Sequence, residues 1–222
     1  MLWPINIGRS LVFKVGMPVA EGRNACVQHA LALEGPTCEV DSLFWLDDDV
    51  VPQPEAILRL YSHYKPIVSG VYFTKDKVFP QPLILPGKAA GTDEFIPDKV
   101  YETYGHGMGL VLVKMDIYKR LLEKGLPKDK NNNPEWYRTS LGCINDPLGG
   151  NIDAGGTEDT VFLEKIKADL GISTFIDTSK HAFGWHRDRM TGECYPLKQW
   201  HECREGKPIT WETSQGTFTW DR

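Results

Sequence analysis

The chain has 222 residues and a hydrophobic content of 41%, enough for one large domain or one domain with an elaborated tail. Its 25 basic and 30 acidic residues are interspersed, and a net charge of -5 with no basic block excludes a nucleic-acid footprint. No apolar run approaches a membrane span, and the opening MLWPINIGRSLVFKVG, broken by Pro4 and Arg9, makes a poor signal peptide, so no transmembrane segment and a cytoplasmic location are expected.

In chain order, the first eight residues read as an arm and LVFKV (11–15) as a strand. Gly16 to Gly22, with Pro18, reads as a loop. From Arg23 to Leu33 apolar residues recur at helical spacing (Ala25, Cys26, Ala30, Leu33), and Gly35-Pro36 stops that helix. LFWL is a buried strand leading into Asp47. Pro54 opens a helix through Tyr64, with Ala56, Ile57, Leu60 and Tyr61 inward. IVSGVYF (67–73) and GLVLV (109–113) are further buried strands, LILPG from 83 pairs nearby, and Met115 to Leu122 is a helix. Polar KGLPKDKNNNPEWY (124–137) reads as a mobile or ligand-ordered loop. Glu158 to Leu170 is an amphipathic helix with Val161, Phe162, Ile166 and Leu170 inward, and GISTFID is a strand again. WHECREGKPITWE predicts a hairpin turning at Glu205-Gly206. This alternation predicts an α/β fold with a mainly parallel or mixed sheet. Five widely spaced cysteines without a CxxC read as free thiols; Cys194 and Cys203 are the pair that a hairpin could bring together.

Three consecutive aspartates, Asp47, Asp48 and Asp49, end the LFW run where the strand leaves the sheet. Carboxylates so close repel one another unless a cation shares them, and a divalent metal held there grips a phosphate. In an extended strand Asp47 and Asp49 point to one side and Asp48 to the other, which makes a DxD arrangement. One carboxylate would hold the metal while its partner reaches a ribose or a metal-bound water. The competing readings are a solvated acidic turn and a phosphatase-like site with Asp47 as nucleophile and Glu158-Asp159 as a second acidic cluster.

Gly155-Gly156-Thr157-Glu158-Asp159 precedes a helix. Thr157 is a candidate cap, with both acids favoured in the first turn. Asp159 is alternatively a general base for an attacking hydroxyl, with Glu158 orienting the acceptor. His181 and His186 follow GISTFID, and an imidazole beside a carboxylate pair completes a mixed nitrogen and oxygen site for manganese or magnesium. Arg187 is a candidate phosphate contact, and Arg23 either neutralises a phosphate or locks Asp47. Gly105-His106-Gly107-Met108-Gly109 lets backbone approach a bound sugar or acceptor closely, centred on Gly107. Trp136, Tyr137 and Trp185 offer flat faces for a sugar ring, with core packing as the alternative for each.

Taken in order, EGRNACVQHAL, LFWLDDDVVPQPEAI, GHGMGLVLVKMDIYKRL, GGTEDTVFLEKIKADLGISTFIDTS and GWH resemble the metal-dependent glycosyltransferases of the GT-A fold, especially the family two-like group, over about residues 20–190. The resemblance implies a Rossmann-like α/β fold with a mainly parallel central sheet flanked by helices. It makes residues 1–190 the catalytic domain and 191–222 a hairpin extension packed on it. It implies a UDP- or GDP-sugar donor with Mn2+ or Mg2+, Asp47 and Asp48 at the donor, Asp49 with Asp47 on the metal, and His186 or His181 as a further ligand. Asp159 would be the base of an inverting transfer to an acceptor hydroxyl. Only about twenty residues precede Arg23, so the base pocket is expected to be reduced, or rebuilt by the tail or by a partner chain in a homo-oligomer. No QxxRW-type processive signature is present, which fits addition of one sugar. The alternatives are a degenerate GT-A-like binding module and a metal-dependent phosphatase-like hydrolase.

Overall fold

The computed structural model describes residues 11–35, 38–85, 95–139, 144–145, 151–152, 157–213 and 216–220. The expected arm, Pro36, Cys143 and the turn glycines Gly155 and Gly156 lie outside the described residues. In chain order the elements are α1 (Val19–Leu33), β1 (Ser42–Leu46), β2 (Val50–Pro52), α2 (Ala56–Tyr61), β3 (Ile67–Gly70), β4 (Ile84–Leu85), β5 (Val100–Thr103), β6 (Gly105–His106), β7 (Leu110–Lys114) and α3 (Met115–Lys124). There follow β8 (Ile144–Asn145), β9 (Asn151–Ile152), α4 (Glu158–Leu170), β10 (Thr174–Asp177), β11 (Gly184–Arg187), β12 (Cys194–Tyr195), α5 (Leu197–Arg204), β13 (Ile209–Thr213) and β14 (Gly216–Trp220). Among the described residues no helix is long and apolar enough to cross a membrane.

The chain divides into two compact units, each made of segments that are discontinuous in sequence. The first comprises Phe44–Leu112 and Thr174–Arg222 and is built on a five-stranded sheet of order β1-β7-β3-β10-β5. β3 is buried along its whole length, as is β7 up to Lys114, which is why both read in sequence as unbroken apolar runs. The sheet is mixed, as the alternation allowed: β3 and β10 pair in parallel and β10 and β5 antiparallel, and across the structure the registered pairs are mostly antiparallel, all those of the smaller sheets among them. A second sheet, β12-β11-β2, holds the turn of interest.

The tail differs from its expectation. Leu197–Arg204 forms a helix whose Trp200 and Cys203 pack on the aromatic cluster below, and the hairpin follows it at β13–β14, with Ile209 opposite Trp220. Glu202 accepts from Thr210 N and Oγ1, each at 2.9 Å, and Gln199 Nε2 donates to Thr210 O at 2.8 Å, so the helix pins the hairpin. Trp211 and Trp220 then close a cluster with Phe73, Phe183 and Trp185; Phe73 stacks on Trp211 at 5.2 Å. The extension thus belongs to the first unit's core. Cys194 and Cys203 are both free thiols.

The second unit comprises Val113–Ser173 and the described residues of Gly8–Leu43. α1 begins four residues before the expected start, directly after Pro18. LVFKV makes no strand; among the described residues it joins no ladder, and Leu11, Phe13 and Val15 stay exposed. α4 matches its expected bounds and ends at Gly171, whose φ of 65° suits a left-handed cap. Phe162 from α4 stacks on Tyr137 at 4.2 Å and on Tyr118 at 5.6 Å. Trp136 Nε1 donates to Tyr118 O at 3.0 Å. Trp136 and Tyr137 are therefore core residues, and so is Trp185 in the first unit; none offers an open face to a sugar.

In the first unit Asp177, fully buried at the end of β10, joins sheet to helix. Its Oδ2 accepts from Arg59 Nε at 2.7 Å and pairs with His63 Nε2 at 2.6 Å, while Oδ1 accepts from Ser179 N at 2.8 Å. Burial pushes its carboxyl up, but the hydrogen bonds from Ser179, His63 and Arg59 outweigh this and hold it below the ordinary 3.8. A carboxyl depressed on folding contributes stability that is fully present above its unfolded value and is lost as pH falls through the folded one. Asp177→Asn is expected to cost about 2–4 kcal/mol in urea unfolding at neutral pH, because the fully buried carboxylate's charge-assisted hydrogen bonds to Arg59 and Ser179 N are weakened and an amide nitrogen takes the place of one acceptor oxygen. It should also flatten the loss of stability that the wild type shows as pH drops below about 4.

Candidate functional site

β1 stops at Leu46, and Asp47 to Val50 make a turn closed by Val50 N donating to Asp47 O at 3.0 Å. The strand alternation expected for the three aspartates therefore does not apply: they lie in a turn, not along an extended segment. Asp48 sits at the tip, 79% exposed, paired with Arg189 Nη2. Asp47 is held at the root. Its N donates to Gly109 O at 3.1 Å, and its Oδ2 lies 2.9 Å from where a Cβ on Gly109 would stand.

The turn is clamped from the far end of the chain. β11 pairs antiparallel with β2, His186 opposite Val50, and Arg187 N donates to Asp49 O at 2.6 Å. The alternation of β11 buries Trp185 and turns His186 to the other face, where its Nε2 lies 3.5 Å from Asp49 Oδ2. His186 Nδ1 is 2.7 Å from Phe73 O. A carbonyl only accepts, so Nδ1 carries a proton, and in the neutral ring Nε2 presents its lone pair toward a carboxylate. That juxtaposition is favourable when the ring gains a second proton or when a cation lies between the two atoms. A backbone carbonyl fixing the remote nitrogen is the arrangement found behind metal-ligating histidines.

Of the two candidate histidines, His186 faces Asp49, whereas His181 lies in a short 3-10 helix with its Nδ1 2.7 Å from Glu55 Oε1. Among the described residues no group of three or more His, Cys, Asp and Glu side chains converges to hold an ion. Asp49 and His186 supply two donors, and 3.5 Å lets both bond one ion when each metal bond is about 2.1 Å. Mg2+-like ions are commonly held by so few side chains, with phosphate oxygens and water completing the shell.

Two cations absent from the expected set also belong here. Lys75 Nζ is 2.6 Å from Asp49 Oδ2, and Arg189 reaches Asp48. The repulsion among the aspartates is thus relieved within the chain, and it does not by itself require a metal. Burial pushes the Asp49 carboxyl up, but the Lys75 hydrogen bond, with the charges of His186, Lys75 and Arg189, brings it below its ordinary value. Lys75 was legible in one respect: it follows the strand run IVSGVYF, and ligands in α/β sheets gather at the carboxyl ends of strands. Arg189 carried no such signal.

Tyr72 is the other unforeseen member. Its hydroxyl accepts from Gly109 N at 2.9 Å, and its ring meets the His186 ring edge-on at 5.5 Å. A Cβ at Gly107 would stand 2.3 Å from the Tyr72 hydroxyl. The glycines of GHGMG therefore make room for Tyr72, and the close approach expected for a ligand is taken by the chain's own side chain. Arg187 clamps the turn through its backbone, and its side chain is exposed.

The remaining expected residues belong to the second unit. Arg23 is buried, with its Nε 3.5 Å from Glu158 Oε1 and its guanidinium 6.0 Å from the Tyr137 ring centroid. Asn24 beside it holds Tyr137 by both backbone groups, at 2.8 and 2.9 Å. Asp159 Oδ1 accepts from Thr157 Oγ1 and, at 3.0 Å, from Thr160 N. Thr157 thus spends its hydroxyl on Asp159 and makes no side-chain cap to the helix backbone.

Neither a family model nor a curated protein matches this chain. Among solved structures it is similar to A197 from STIV, at 17% identity and a TM-score of 0.48, over 77% of this chain and 68% of that one.

The packing around Gly109 makes a measurable claim. An added methyl would stand 2.8 Å from the Tyr72 hydroxyl and 2.9 Å from Asp47 Oδ2, both closer than real Cβ contacts. Gly109→Ala should destabilise by about 1–3 kcal/mol in chemical denaturation. Adding Tyr72→Phe removes the hydroxyl collision and leaves those with Asp47 and the ring Cζ, so the double-mutant cycle should show a favourable coupling of roughly 0.5–1.5 kcal/mol.

Proposed function

We propose that the chain is a metal-dependent glycosyltransferase that binds a nucleoside-diphosphate sugar at the Asp47–Asp49 turn. The observation that carries this reading is the placement of His186 Nε2 3.5 Å from Asp49 Oδ2, with the other ring nitrogen 2.7 Å from the Phe73 carbonyl. Asp49 and His186 would hold Mn2+ or Mg2+, and the ion would supply charge neutralisation of the diphosphate as it leaves. Arg189 and Lys75 provide positive charge beside that position, suited to phosphate oxygens. The ordered resemblance to GT-A sequences is the second support, and it assigns Asp159 the base for the acceptor hydroxyl. Inversion, the sugar and the acceptor follow from that resemblance alone.

A binding module without turnover is the second reading, and one observation favours it. Asp48 and Asp49 already carry internal cations, so the acidic turn is electrostatically complete without an ion. The two readings separate in a thermal melt of the full chain with Mn2+ and UDP or GDP. At one hundred times the dissociation constant, ligand linkage contributes about 2.7 kcal/mol, which raises Tm by roughly 5–10 °C. Asp49→Ala and His186→Ala should each lose most of that rise. Asp159→Asn should keep it while abolishing sugar transfer. A wild type whose melting point ignores Mn2+ with either nucleotide would refute metal-dependent transfer.

A further inference from the structure

Asp49 Oδ2 faces two partners: Lys75 Nζ at 2.6 Å and His186 Nε2 at 3.5 Å. An ammonium and a divalent ion bound to the same oxygen would stand about 4 Å apart and repel each other. Lys75 and an ion shared by Asp49 and His186 are therefore competitors for one atom.

The backbone that carries Lys75 is fixed. Thr74 N donates to Gln81 O at 2.8 Å and Gln81 N to Thr74 Oγ1 at 2.9 Å, which closes the 74–81 loop at its neck. Asp76 Oδ1 accepts from Val78 N and Phe79 N, each at 2.8 Å. Lys77 Nζ pairs with Glu193 at 3.3 Å, tying this loop to the turn that bears Arg189. What remains adjustable is the lysine side chain, about one third exposed on a flexible four-carbon stem. Arginine would be less suited to the exchange, because its planar fork favours a lasting bidentate hold on a carboxylate.

We infer that Lys75 is a cation-exchange residue: it neutralises Asp49 until a divalent ion takes the Asp49–His186 pair, and its ammonium then moves to the diphosphate that the ion carries. This inference rests on the metal-dependent reading above and adds a residue to it. It has two opposite consequences. Lys75 weakens binding of the bare ion, because an existing ion pair has to break. It strengthens binding of the nucleotide, because the released ammonium gains a charge-assisted partner. Ion and nucleotide therefore favour each other more than bridging alone provides, and that coupling is reciprocal.

The test measures Mn2+ binding to the full chain by the electron paramagnetic resonance signal of the free ion, with wild type, Lys75→Met and Lys75→Arg. Lys75→Met should bind Mn2+ alone roughly two- to fivefold more tightly, the range expected for losing a partly exposed pair. The same variant, loaded with Mn2+, should bind UDP or GDP roughly tenfold more weakly by calorimetry, for want of one charge-assisted contact. Lys75→Arg keeps a cation with a firmer hold on Asp49 and should bind Mn2+ no more tightly than wild type. All three should melt alike without ligand, since a surface pair contributes little to stability. Wild type that binds Mn2+ while Lys75→Met binds it no more tightly overturns the exchange and leaves the metal site standing. A wild type that binds neither Mn2+ nor nucleotide removes both the metal site and the exchange.

Discussion

The antiparallel pairing of β2 with β11 is the constraint on which the candidate site depends. It sets His186 opposite Val50 and brings Arg187 N to Asp49 O, so the acidic turn and the histidine share one ladder. A slip of one residue would turn Trp185 outward and bury His186, because side chains alternate along a strand. Register is protected by that same alternation: Trp185 lies in the aromatic cluster, edge-on to Phe183 at 4.7 Å, and cannot be exposed without losing that burial. The histidine's position is thus enforced by an apolar neighbour.

The supports around the turn are shared. Phe73 contributes its ring to the core against Trp211 and its carbonyl to His186. Tyr72, the residue before it, turns to the opposite side and fills the space left by Gly107 and Gly109. α5 and β14, from the tail, brace this wall through Trp200 and Trp220. Packing that secures the core therefore also orients the polar groups, so a change in the tail can reach the turn without touching it. The arrangement has the logic of a supported site: rigid apolar residues fix the second layer, which fixes the rings and carboxylates in front.

Much of this was legible in residue order. Runs buried on both faces, such as IVSG and LVLVK, announced strands, and the stripe of Phe162 and Ile166 announced α4 to the residue. Patterns shorter than a few turns were less informative. WHECR was read as part of a hairpin because its flanks carry strand-like residues, yet Trp200 and Cys203 sit at helical spacing and take the shared core as their partner. LVFKV has strand composition, but composition supplies no ladder partner. The alternation of strands and helices allowed a mainly parallel or a mixed sheet, and β5, a short polar strand unmarked in the sequence, makes it mixed by pairing antiparallel with β10.

By itself the sequence determined that an acidic tip ends a buried strand and that a histidine follows the last strand of the α/β alternation, because both signals are local and depend on hydrophobic period. The tertiary structure decided which groups meet there. Lys75 lies 26 residues from Asp49 and Arg189 lies 141 from Asp48, and no period in the chain couples positions so far apart. It also set His186 beside Asp49 and His181 beside Glu55. Charges of opposite sign within a few ångströms are selected by the fold's register and loops, and those are fixed only when the core closes.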